Sequence, residues 1–263
     1  MNCAHRGSRR RVIGGLEVTK VDQPVATSVL DRLKACSTAT LTTQLFKRNF
    51  RQQFLVGLTP LNPDAASFAG EAFTLRFIPS REDRDWDLGD LHKRGEDNVQ
   101  WEAVEAIGAG QVLVIDSRND VRAASAGNML MTRMLRKGVA GAVTDGAFRD
   151  GTEISQMAFP AFCAGRTAST RPAFHRAADM QLPIGCAGVA VYPGDIVVGD
   201  PDGVVVVPRQ IAEEVAHDSY EQELRERYLF TKIDAGAPLW GTYPPNEETL
   251  REYAEWRARP VTT

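Results

Sequence analysis

Hydrophobic residues near the start of the chain recur at helical spacing. Val29, Leu30 and Leu33 form one group, and Leu41 and Leu45 form a second group within the hydroxyl-rich stretch STATLTTQLFKR. Apolar residues three or four positions apart share one face of a helix, and a serine or threonine suits the position before its first turn. The pattern therefore predicts helices here, followed by a loop rich in glycine and proline.

The spacing changes to alternation in the segment EAFTLRFIP. Phe73, Leu75 and Phe77 alternate there with Thr74 and Arg76. Residues two apart lie on the same face of a strand, so the pattern predicts a strand with one buried face. The next segment, residues 80–98, is highly charged, and we expect a surface loop that is long enough to cover a site.

The pattern is clearest in the middle of the chain. QVLVID (111–116) and VAGAVT (139–144) are apolar runs of strand length, and NMLMTRMLRK (128–137) between them has the spacing of a helix. Gly127 precedes this helix, and Gly138 suits the position after its last turn. A strand, a helix and a second strand within about 35 residues form a βαβ unit with parallel strands.

Further strand-like runs follow in residues 159–165 and 186–208. The second segment holds three runs, separated by the turn sequences YPGD and DPDG, which are typical of antiparallel hairpins. A long amphipathic helix follows Pro208 and ends at Gly236, and Asn246 suits the start of a last helix. This order of elements predicts an α/β fold with a central sheet and a helical C-terminal extension.

The composition is that of a globular protein. The chain has 263 residues, of which 43% are hydrophobic and 25% are charged. We find no linker that would separate two cores. We therefore predict an N-terminal arm (residues 1–23), one α/β domain (residues 24–236) and a C-terminal extension (residues 237–263).

The net charge, the lack of long apolar runs and the cysteines exclude several classes of protein. The net charge of −3 provides no overall basic surface for nucleic acid. The chain lacks an apolar run of about 18 residues, so we expect no membrane span, and its N-terminus lacks the apolar region of a secretory signal. The four cysteines match no zinc or redox motif and indicate reduced thiols. We expect a cytoplasmic protein with neither nucleic-acid nor membrane partners.

One edge of the predicted βαβ unit carries candidate chemistry. The helix that begins at Asn128 presents unpaired backbone N–H groups, which attract an anion. The second strand is followed by a predicted turn at Asp145 and Gly146, and then by Arg149 and Asp150. Arginine suits a carboxylate, and aspartate suits Mg²⁺ or Mn²⁺. The same spacing also fits a surface arginine and an aspartate that caps the next helix, and the residues alone leave both interpretations open.

Three other polar features have structural explanations. The sequence DPDG at 200–203 makes a hairpin turn without any ligand. His175 lies in a segment with a helical pattern, and we expect a packed or surface histidine. Glu221, Glu223 and Glu226 lie on a highly charged helix, which is typical of a solvated face.

Five segments together suggest a family. In order they are STATLTTQL, FAGEAFTLRF, GNML, GVAGAVTDGAFRD and PGDIVVGDPDGVVVVP. Over residues 28–236 the chain resembles the RraA-like family, which includes the regulator of ribonuclease activity A and the class II 4-hydroxy-4-methyl-2-oxoglutarate aldolases. The resemblance implies a swivelling β/β/α-type fold and a divalent cation, Mg²⁺ or Mn²⁺. It also implies a homotrimer or hexamer with sites between subunits.

The resemblance also implies roles for individual residues. Asp150 would bind the metal, and Arg149 would contact the 2-oxo acid and its developing enolate. The backbone N–H groups of Met129 and Leu130 would hold the substrate carboxylate. The family usually has a carboxylate at the position of Asn128, and an asparagine there cannot serve as a base.

A further acidic residue completes the site in the aldolases. It comes from the C-terminal helix of the adjacent subunit, and Glu226 is the best match, with Glu223 second. A Schiff-base lysine is not required, and Lys137 lies at the far end of its helix from the glycine-flanked opening.

The resemblance implies a metal-dependent lyase that acts on short 2-oxo acids. It would cleave 4-hydroxy-2-oxo acids or decarboxylate oxaloacetate, since both reactions pass through a pyruvate enolate. Two alternatives stay open: a protein-binding regulator of ribonuclease activity, and a hydro-lyase or hydrolase of diketo acids derived from sugar acids. The presence of both Arg149 and Asp150 favours the enzyme.

Overall fold

A computed structural model describes residues 23–85 and 98–259. The predicted arm lies almost wholly outside the described residues, as does most of the charged loop 80–98. The helices described are α1 (Thr27–Lys34), α2 (Thr38–Lys47), α3 (Glu82–Asp85), α4 (Val99–Ala106), α5 (Asn128–Arg136), α6 (Gly151–Ser155), α7 (Ala212–Asp234) and α8 (Glu247–Ala258). The strands described are β1 (Thr59–Pro60), β2 (Phe68–Pro79), β3 (Gln111–Asp116), β4 (Ala124–Ala126), β5 (Gly141–Phe148), β6 (Ala161–Arg166), β7 (His175–Met180), β8 (Ile184–Cys186), β9 (Val189–Val191), β10 (Ile196–Asp200) and β11 (Gly203–Val207).

A mixed sheet forms the centre of the fold. Its strands follow the order β1-β6-β5-β3-β2-β10-β11, with β4 beside β5 and β7 beside β2. The pairs β2–β3, β3–β5 and β5–β6 are parallel, whereas β10 and β11 form an antiparallel hairpin. The predicted α/β fold with a central sheet is confirmed.

The predicted βαβ unit is present as β3, α5 and β5. Strands β3 and β5 are parallel, with Val112 opposite Gly141 and Ile115 opposite Thr144. Gly138 follows α5 with a φ of 75°, the left-handed conformation that favours glycine after a helix. Because parallel strands end at the same edge of a sheet, this unit brings the segments after β3 and β5 together.

The prediction of a turn at Asp145 and Gly146 is wrong. Strand β5 continues through both residues to Phe148. Asp145 is only 1% exposed, and its carboxylate accepts hydrogen bonds from the backbone N–H groups of Ser117 and Asn119. A Cβ atom on Gly146 would lie 2.6 Å from the Cβ of Ser117, so the glycine permits close packing inside the sheet.

Two further predictions about strands need correction. Strand β2 is buried on both faces over its middle, since Thr74 is buried and donates a hydrogen bond to the carbonyl of Leu182 at 2.7 Å. The segment that contains His175 is strand β7, which pairs antiparallel with β2, and not a helix. A sheet partner distant in sequence outweighs the local helical pattern in this segment.

Helices cover the sheet. Helices α4 and α5 pack on one face of β2 and β3, and the β8–β9 hairpin packs on the other face. Helices α1, α2 and α7 enclose a third apolar cluster with the β10–β11 hairpin. The predicted hydroxyl cap is present, because Ser37 Oγ accepts from the N–H of Thr40 at 3.1 Å.

The C-terminal extension is helical, as predicted. Asn246 caps α8 by accepting a hydrogen bond from the N–H of Thr249 at 2.9 Å. Helix α8 packs on α7 through the rings of Tyr228, Tyr253 and Trp256. The domain boundary at residue 236 stays a prediction.

Three of the four cysteines lie among the described residues. Cys36, Cys163 and Cys186 are buried free thiols, and Cys3 lies outside the described residues. Within residues 23–85 and 98–259, no helix is both long enough and apolar enough to cross a membrane.

Candidate functional site

The start of α5 and the end of β5 meet at one cavity. Its volume is about 290 Å³. Five residues predicted for the site line it: Asn128, Met129, Leu130, Arg149 and Asp150. The rest of its wall comes from Gln100, Trp101, Ala124, Ala126, Gly127, Thr170, Arg171 and Pro172. Two segments that are well separated in the chain therefore share one site.

The start of helix α5 faces this cavity with backbone N–H groups that make no hydrogen bond within the helix. The first N–H group that bonds back into the helix is that of Met131, which donates to the carbonyl of Gly127 at 3.2 Å. The N–H groups of Asn128, Met129 and Leu130 therefore precede the first intrahelical bond. Unpaired N–H groups and the helix dipole together favour an anion at this end.

Asp150 turns its carboxylate to the start of α5. Its Oδ2 accepts a hydrogen bond from the N–H of Asn128 at 3.1 Å. Asp150 also stands at the N-cap position of α6, but its side chain makes no capping hydrogen bond there. The alternative in which Asp150 caps the next helix is therefore wrong, and the carboxylate belongs to the cavity.

The backbone of Asp150 explains this orientation. Its φ of 56° and ψ of 37° lie in the left-handed region, which aspartate tolerates better than most side chains do. Such conformations cost about 1 kcal/mol and concentrate at functional sites. The turn directs the side chain of Asp150 back toward α5.

Arg149 pairs with its neighbour in sequence, Asp150. Its Nε lies 3.2 Å from Asp150 Oδ2 and 3.3 Å from Oδ1. The backbone N–H of Arg149 donates to the carbonyl of Ala126 at 3.1 Å, which fixes the segment beside β4. Because only Nε contacts the carboxylate, the terminal Nη groups of Arg149 are left for another acceptor.

Gly127 makes room for this pair. A Cβ atom at this position would lie 2.6 Å from Asp150 Oδ2 and 2.9 Å from Arg149 Cγ. The backbone of Gly127 is extended, with φ −132° and ψ −178°, a conformation that any residue adopts. Glycine is therefore required at residue 127 for space and not for backbone freedom.

The site contains one carboxylate from this chain. Among the described residues, no group of three or more histidine, cysteine, aspartate or glutamate side chains is arranged to hold a metal. Asn128 is half-buried in the cavity wall and adds an amide rather than a second carboxylate. A cation at Asp150 would need most of its ligands from water or substrate.

Glu226 does not reach the cavity of its own chain. It lies on α7, where its Oε1 accepts a hydrogen bond from Gln222 at 2.8 Å. Glu223 binds the start of α2, accepting from the N–H of Ser37 at 2.9 Å and from its hydroxyl at 2.7 Å. Burial raises the pKa of Glu223, but these hydrogen bonds outweigh it and lower the pKa overall. Glu223, which lies on α7, therefore anchors the start of α2.

A buried hydroxyl cluster lies behind the site. The hydroxyls of Ser117, Ser125 and Thr144 form a triangle with edges of 2.7, 2.8 and 3.1 Å. Burial raises the pKa of neighbouring Asp145, and hydrogen bonds from backbone N–H groups act against the rise. The sequence did not show this cluster, because Ser125 and Thr144 lie in different strands, β4 and β5, that only the fold brings together.

Comparison with known proteins identifies the family of this chain. A family model described as RraA-like (Aldolase/RraA) matches residues 35–206. A candidate 4-hydroxy-4-methyl-2-oxoglutarate aldolase of Halalkalibacterium halodurans is 35% identical over 147 residues, which cover 54% of this chain and 69% of that protein. A 4-hydroxy-4-methyl-2-oxoglutarate aldolase of Thermus thermophilus is 31% identical over 144 residues, which cover 54% of this chain and 77% of that protein.

A solved structure shows the same fold. Streptomyces coelicolor RraAS2 is described as an unusual member of the RNase ES inhibitor RraA protein family. It matches with a TM-score of 0.69 and 29% identity, over 78% of this chain and 97% of that one. The range matched by the family model contains α5, Arg149 and Asp150. The resemblance inferred from the five sequence segments is confirmed, and the chain belongs to the RraA-like family.

Proposed function

We propose that this protein is a divalent-cation-dependent carbon–carbon lyase that acts on short 2-oxo acids. Its principal reaction would be retro-aldol cleavage of 4-hydroxy-2-oxo acids, with decarboxylation of oxaloacetate as the related reaction. One observation carries the proposal: Arg149, Asp150 and the open N-terminus of α5 line the same cavity. The names of the relatives support the aldolase class.

The donor set suits Mg²⁺ or Mn²⁺. Mg²⁺ keeps several of its waters in proteins and usually takes one or two carboxylates. Asp150 offers one carboxylate, and 25% of its side chain is exposed. When bound, such a cation would act as a Lewis acid on the 2-oxo group of the substrate.

The chain's own groups would bind and orient the substrate. The N–H groups of Met129 and Leu130 are available to hold the carboxylate of the 2-oxo acid, in the manner of other helix N-termini. The Nη groups of Arg149 are available to donate to the 2-oxo oxygen, where negative charge develops as the enolate forms. These contacts would strengthen in the transition state, as a lyase requires.

The bond changes define what else the site must supply. The C4 hydroxyl loses its proton and the C3–C4 bond breaks. The electron pair of that bond becomes the C2–C3 enolate, which takes a proton at C3 to give pyruvate. Asn128 has no basic group to accept the hydroxyl proton, so we propose that Glu226 of a neighbouring subunit takes part in this transfer.

The assay follows pyruvate. The protein would be incubated with Mg²⁺ or Mn²⁺ and either 4-hydroxy-4-methyl-2-oxoglutarate or oxaloacetate, with lactate dehydrogenase as the coupling enzyme. We expect pyruvate with the cation and none after chelation. The absence of cation-dependent pyruvate from both substrates would contradict the proposal.

A second candidate function comes from the structural neighbour. RraAS2 belongs by its description to a family of ribonuclease inhibitors. A protein-binding regulator of ribonuclease activity would bind an RNase E-like enzyme and release no pyruvate. Turnover of diketo acids without cleavage of 4-hydroxy-2-oxo acids would instead indicate the hydro-lyase or hydrolase alternative.

A further inference from the structure

The cavity that Arg149 and Asp150 line also has an apolar part. Its apolar lining residues are Trp101, Ala124, Ala126, Met129, Leu130 and Pro172. Two of them, Trp101 and Met129, are large residues that stay 43% and 81% exposed. They come from different helices, α4 and α5, so the fold brings two exposed apolar residues to one site.

Trp101 lies in the first turn of α4, and its neighbours fix its position. Asn98 caps this helix by accepting a hydrogen bond from the N–H of Trp101 at 3.4 Å. The side chain of Gln100 is buried and donates a hydrogen bond to the carbonyl of Ser125, which ties the helix to β4. Val104, one turn later, packs into the core. These contacts hold α4 against the sheet and leave Trp101 at the cavity.

Met129 lies beside the N–H donors at the start of α5. Its own backbone N–H is one of those that precede the first intrahelical bond, and most of the residue is exposed. The next residues, Leu130 and Met131, pack against the core instead. Methionine has no branches and a polarisable sulfur, so its side chain adapts to apolar groups of different shapes. A ligand held at these N–H groups therefore lies next to an adaptable apolar side chain.

Charged side chains form only a small part of this wall. Among the described residues that line the cavity, Arg171 is the one charged residue besides the Arg149–Asp150 pair, and its Nη1 donates to the carbonyl of His175 at 3.3 Å. The pair and the helix N–H groups suit the polar end of a 2-oxo acid, whereas the apolar part suits a carbon substituent. Burying an apolar group against such a surface is favourable in proportion to the area removed from water.

Resting on the function proposed above, we propose that Trp101 and Met129 bind an apolar alkyl or aryl group carried by C4 of the substrate. Alkyl chains and aromatic rings both pack well on the face of an indole. Cleavage of the C3–C4 bond would release pyruvate and an aldehyde or ketone that keeps this group. Trp101 is a specificity residue, because the group it binds takes no part in the bond changes.

A series of substrates that differ only in the length of this group tests the role. 4-Hydroxy-2-oxopentanoate, 4-hydroxy-2-oxohexanoate and 4-hydroxy-2-oxoheptanoate carry a methyl, an ethyl and a propyl group on C4. They yield pyruvate with acetaldehyde, propanal and butanal, respectively. We expect kcat/KM of the wild type to rise about three- to fourfold with each added methylene, which is about tenfold over the series.

Substitutions in the apolar part should flatten this rise. In Trp101→Ala, kcat/KM should change by less than about twofold from the shortest to the longest substrate, because the surface that buries the added methylenes is gone. Trp101→Phe keeps an aromatic ring and should keep most of the rise. Met129→Gln keeps the backbone N–H and the length of the side chain, and it should reduce the rise in the same direction.

Trp240→Ala is the matched control. Trp240 is 90% exposed, follows α7 in the C-terminal extension and lies outside the cavity wall. The substitution removes the same side chain, and the rise over the three substrates should equal that of the wild type. Thermal melting of each variant would show that the fold is intact.

Binding provides a readout that does not depend on turnover. 2-Oxopentanoate and 2-oxoheptanoate have no C4 hydroxyl and cannot undergo the cleavage, and they differ by two methylenes. In calorimetric titrations with Mn²⁺, the wild type and Trp240→Ala should bind 2-oxoheptanoate about tenfold more tightly than 2-oxopentanoate. In Trp101→Ala the two dissociation constants should agree within about twofold.

The outcomes separate the apolar subsite from the lyase. A wild type that releases no pyruvate from the series contradicts the lyase, and tighter binding of 2-oxoheptanoate that is lost in Trp101→Ala still supports the subsite. A wild type that cleaves all three substrates with equal kcat/KM overturns the subsite and leaves the lyase standing. A rise that Trp101→Ala leaves intact, or that Trp240→Ala removes to the same extent, also overturns the role of Trp101.

Discussion

Asp150 and Gly127 depend on each other at the residue scale. The left-handed backbone of Asp150 points its carboxylate at α5, and the missing side chain of Gly127 leaves the space that the carboxylate occupies. Neither residue by itself marks a functional site in the sequence. Their contact creates a site in which the carboxylate, the guanidinium of Arg149 and the helix N–H groups share one wall.

Gly127→Ala tests this dependence. The new Cβ atom would lie 2.6 Å from Asp150 Oδ2, so we expect the carboxylate to shift and kcat/KM to fall about 100-fold. Overpacking of this kind also costs roughly 1–3 kcal/mol of unfolding free energy. Steady-state kinetics and denaturant unfolding measure the two effects.

Gly185→Ala is the control for the glycine substitution. A Cβ atom on Gly185 meets no atom within 4 Å. This variant should keep wild-type kinetics and stability. Equal losses in both variants would show that the space at Gly127 has no special role.

Asn128 is the residue at which the family resemblance predicts a departure from the usual carboxylate. Its side chain cannot accept the proton that aldol cleavage releases, whereas decarboxylation releases no such proton. Because a positioned base contributes about 10²- to 10⁴-fold, we expect Asn128→Asp to raise the ratio of aldol cleavage to decarboxylation at least about tenfold. The ratio of the two kcat/KM values measures this, and equal gains in both reactions would contradict the assignment.

At the scale of the element, a local sequence pattern predicts a helix or strand well when the residues of that element alone determine its structure. The amphipathic stretch 128–137 and its flanking glycines describe α5, and Asn246 marks the start of α8. Strand β5 differs, because an Asp-Gly pair is typical of a turn. Asp145 stays in the strand because backbone N–H groups from distant segments, such as those of Ser117 and Ala187, satisfy its carboxylate.

In the candidate site too, local patterns predict some residues and not others. Arg149, Asp150 and the start of α5 follow from strand ends and a helix start, which the sequence displays. Arg171 and Gln100 come from segments whose position depends on how β7 and α4 pack, and no local spacing shows this.

Strand β7 carries a buried histidine, His175, between Arg118 and the carbonyl of Ala123. Nδ1 of His175 lies 3.1 Å from Arg118 Nη2, and Nε2 lies 3.2 Å from the carbonyl of Ala123. Arginine only donates, so Nδ1 must accept and the ring must be neutral. Burial lowers the pKa of His175, although Asp120 acts in the opposite direction.

The sign of the pH effect follows from this lowered pKa. Below about pH 6.5 the unfolded chain takes up a proton at His175 that the folded protein does not bind. The free energy of unfolding should therefore fall from about pH 7 to about pH 5, and the fall should be smaller in His175→Asn. Urea unfolding at the two pH values measures this, and an equal fall in both proteins would refute the role of His175.

At the scale of the whole molecule, the acidic residue that the family resemblance assigns to the site lies away from the cavity of its own chain. Glu226 lies on α7 beside Gln222 and outside the cavity wall. We propose a homotrimer, or a hexamer made from two trimers, in which α7 of one subunit approaches the cavity of the next. Light scattering after gel filtration would measure the assembly.

Substitutions at Glu226 and Glu223 distinguish a role in catalysis from a role in the stability of the fold. Glu226→Gln should lower kcat about 10- to 100-fold without changing the melting temperature, because it removes a proton acceptor at the surface of α7. Glu223→Gln should lower unfolding free energy by about 1 kcal/mol and leave kcat unchanged, because it weakens the cap of α2. The reverse pattern would reassign the catalytic glutamate to Glu223.

The most direct test of a cation-dependent lyase centred on Asp150 is pyruvate release by Asp150→Asn. The measurement compares the variant with wild type and with Asp31→Asn, an exposed aspartate on α1, over a range of Mn²⁺ concentrations with 4-hydroxy-4-methyl-2-oxoglutarate. We predict that Asp150→Asn loses at least about 100-fold in cation-dependent kcat/KM, while Asp31→Asn matches wild type. Equal activity in all three proteins would contradict the central claim.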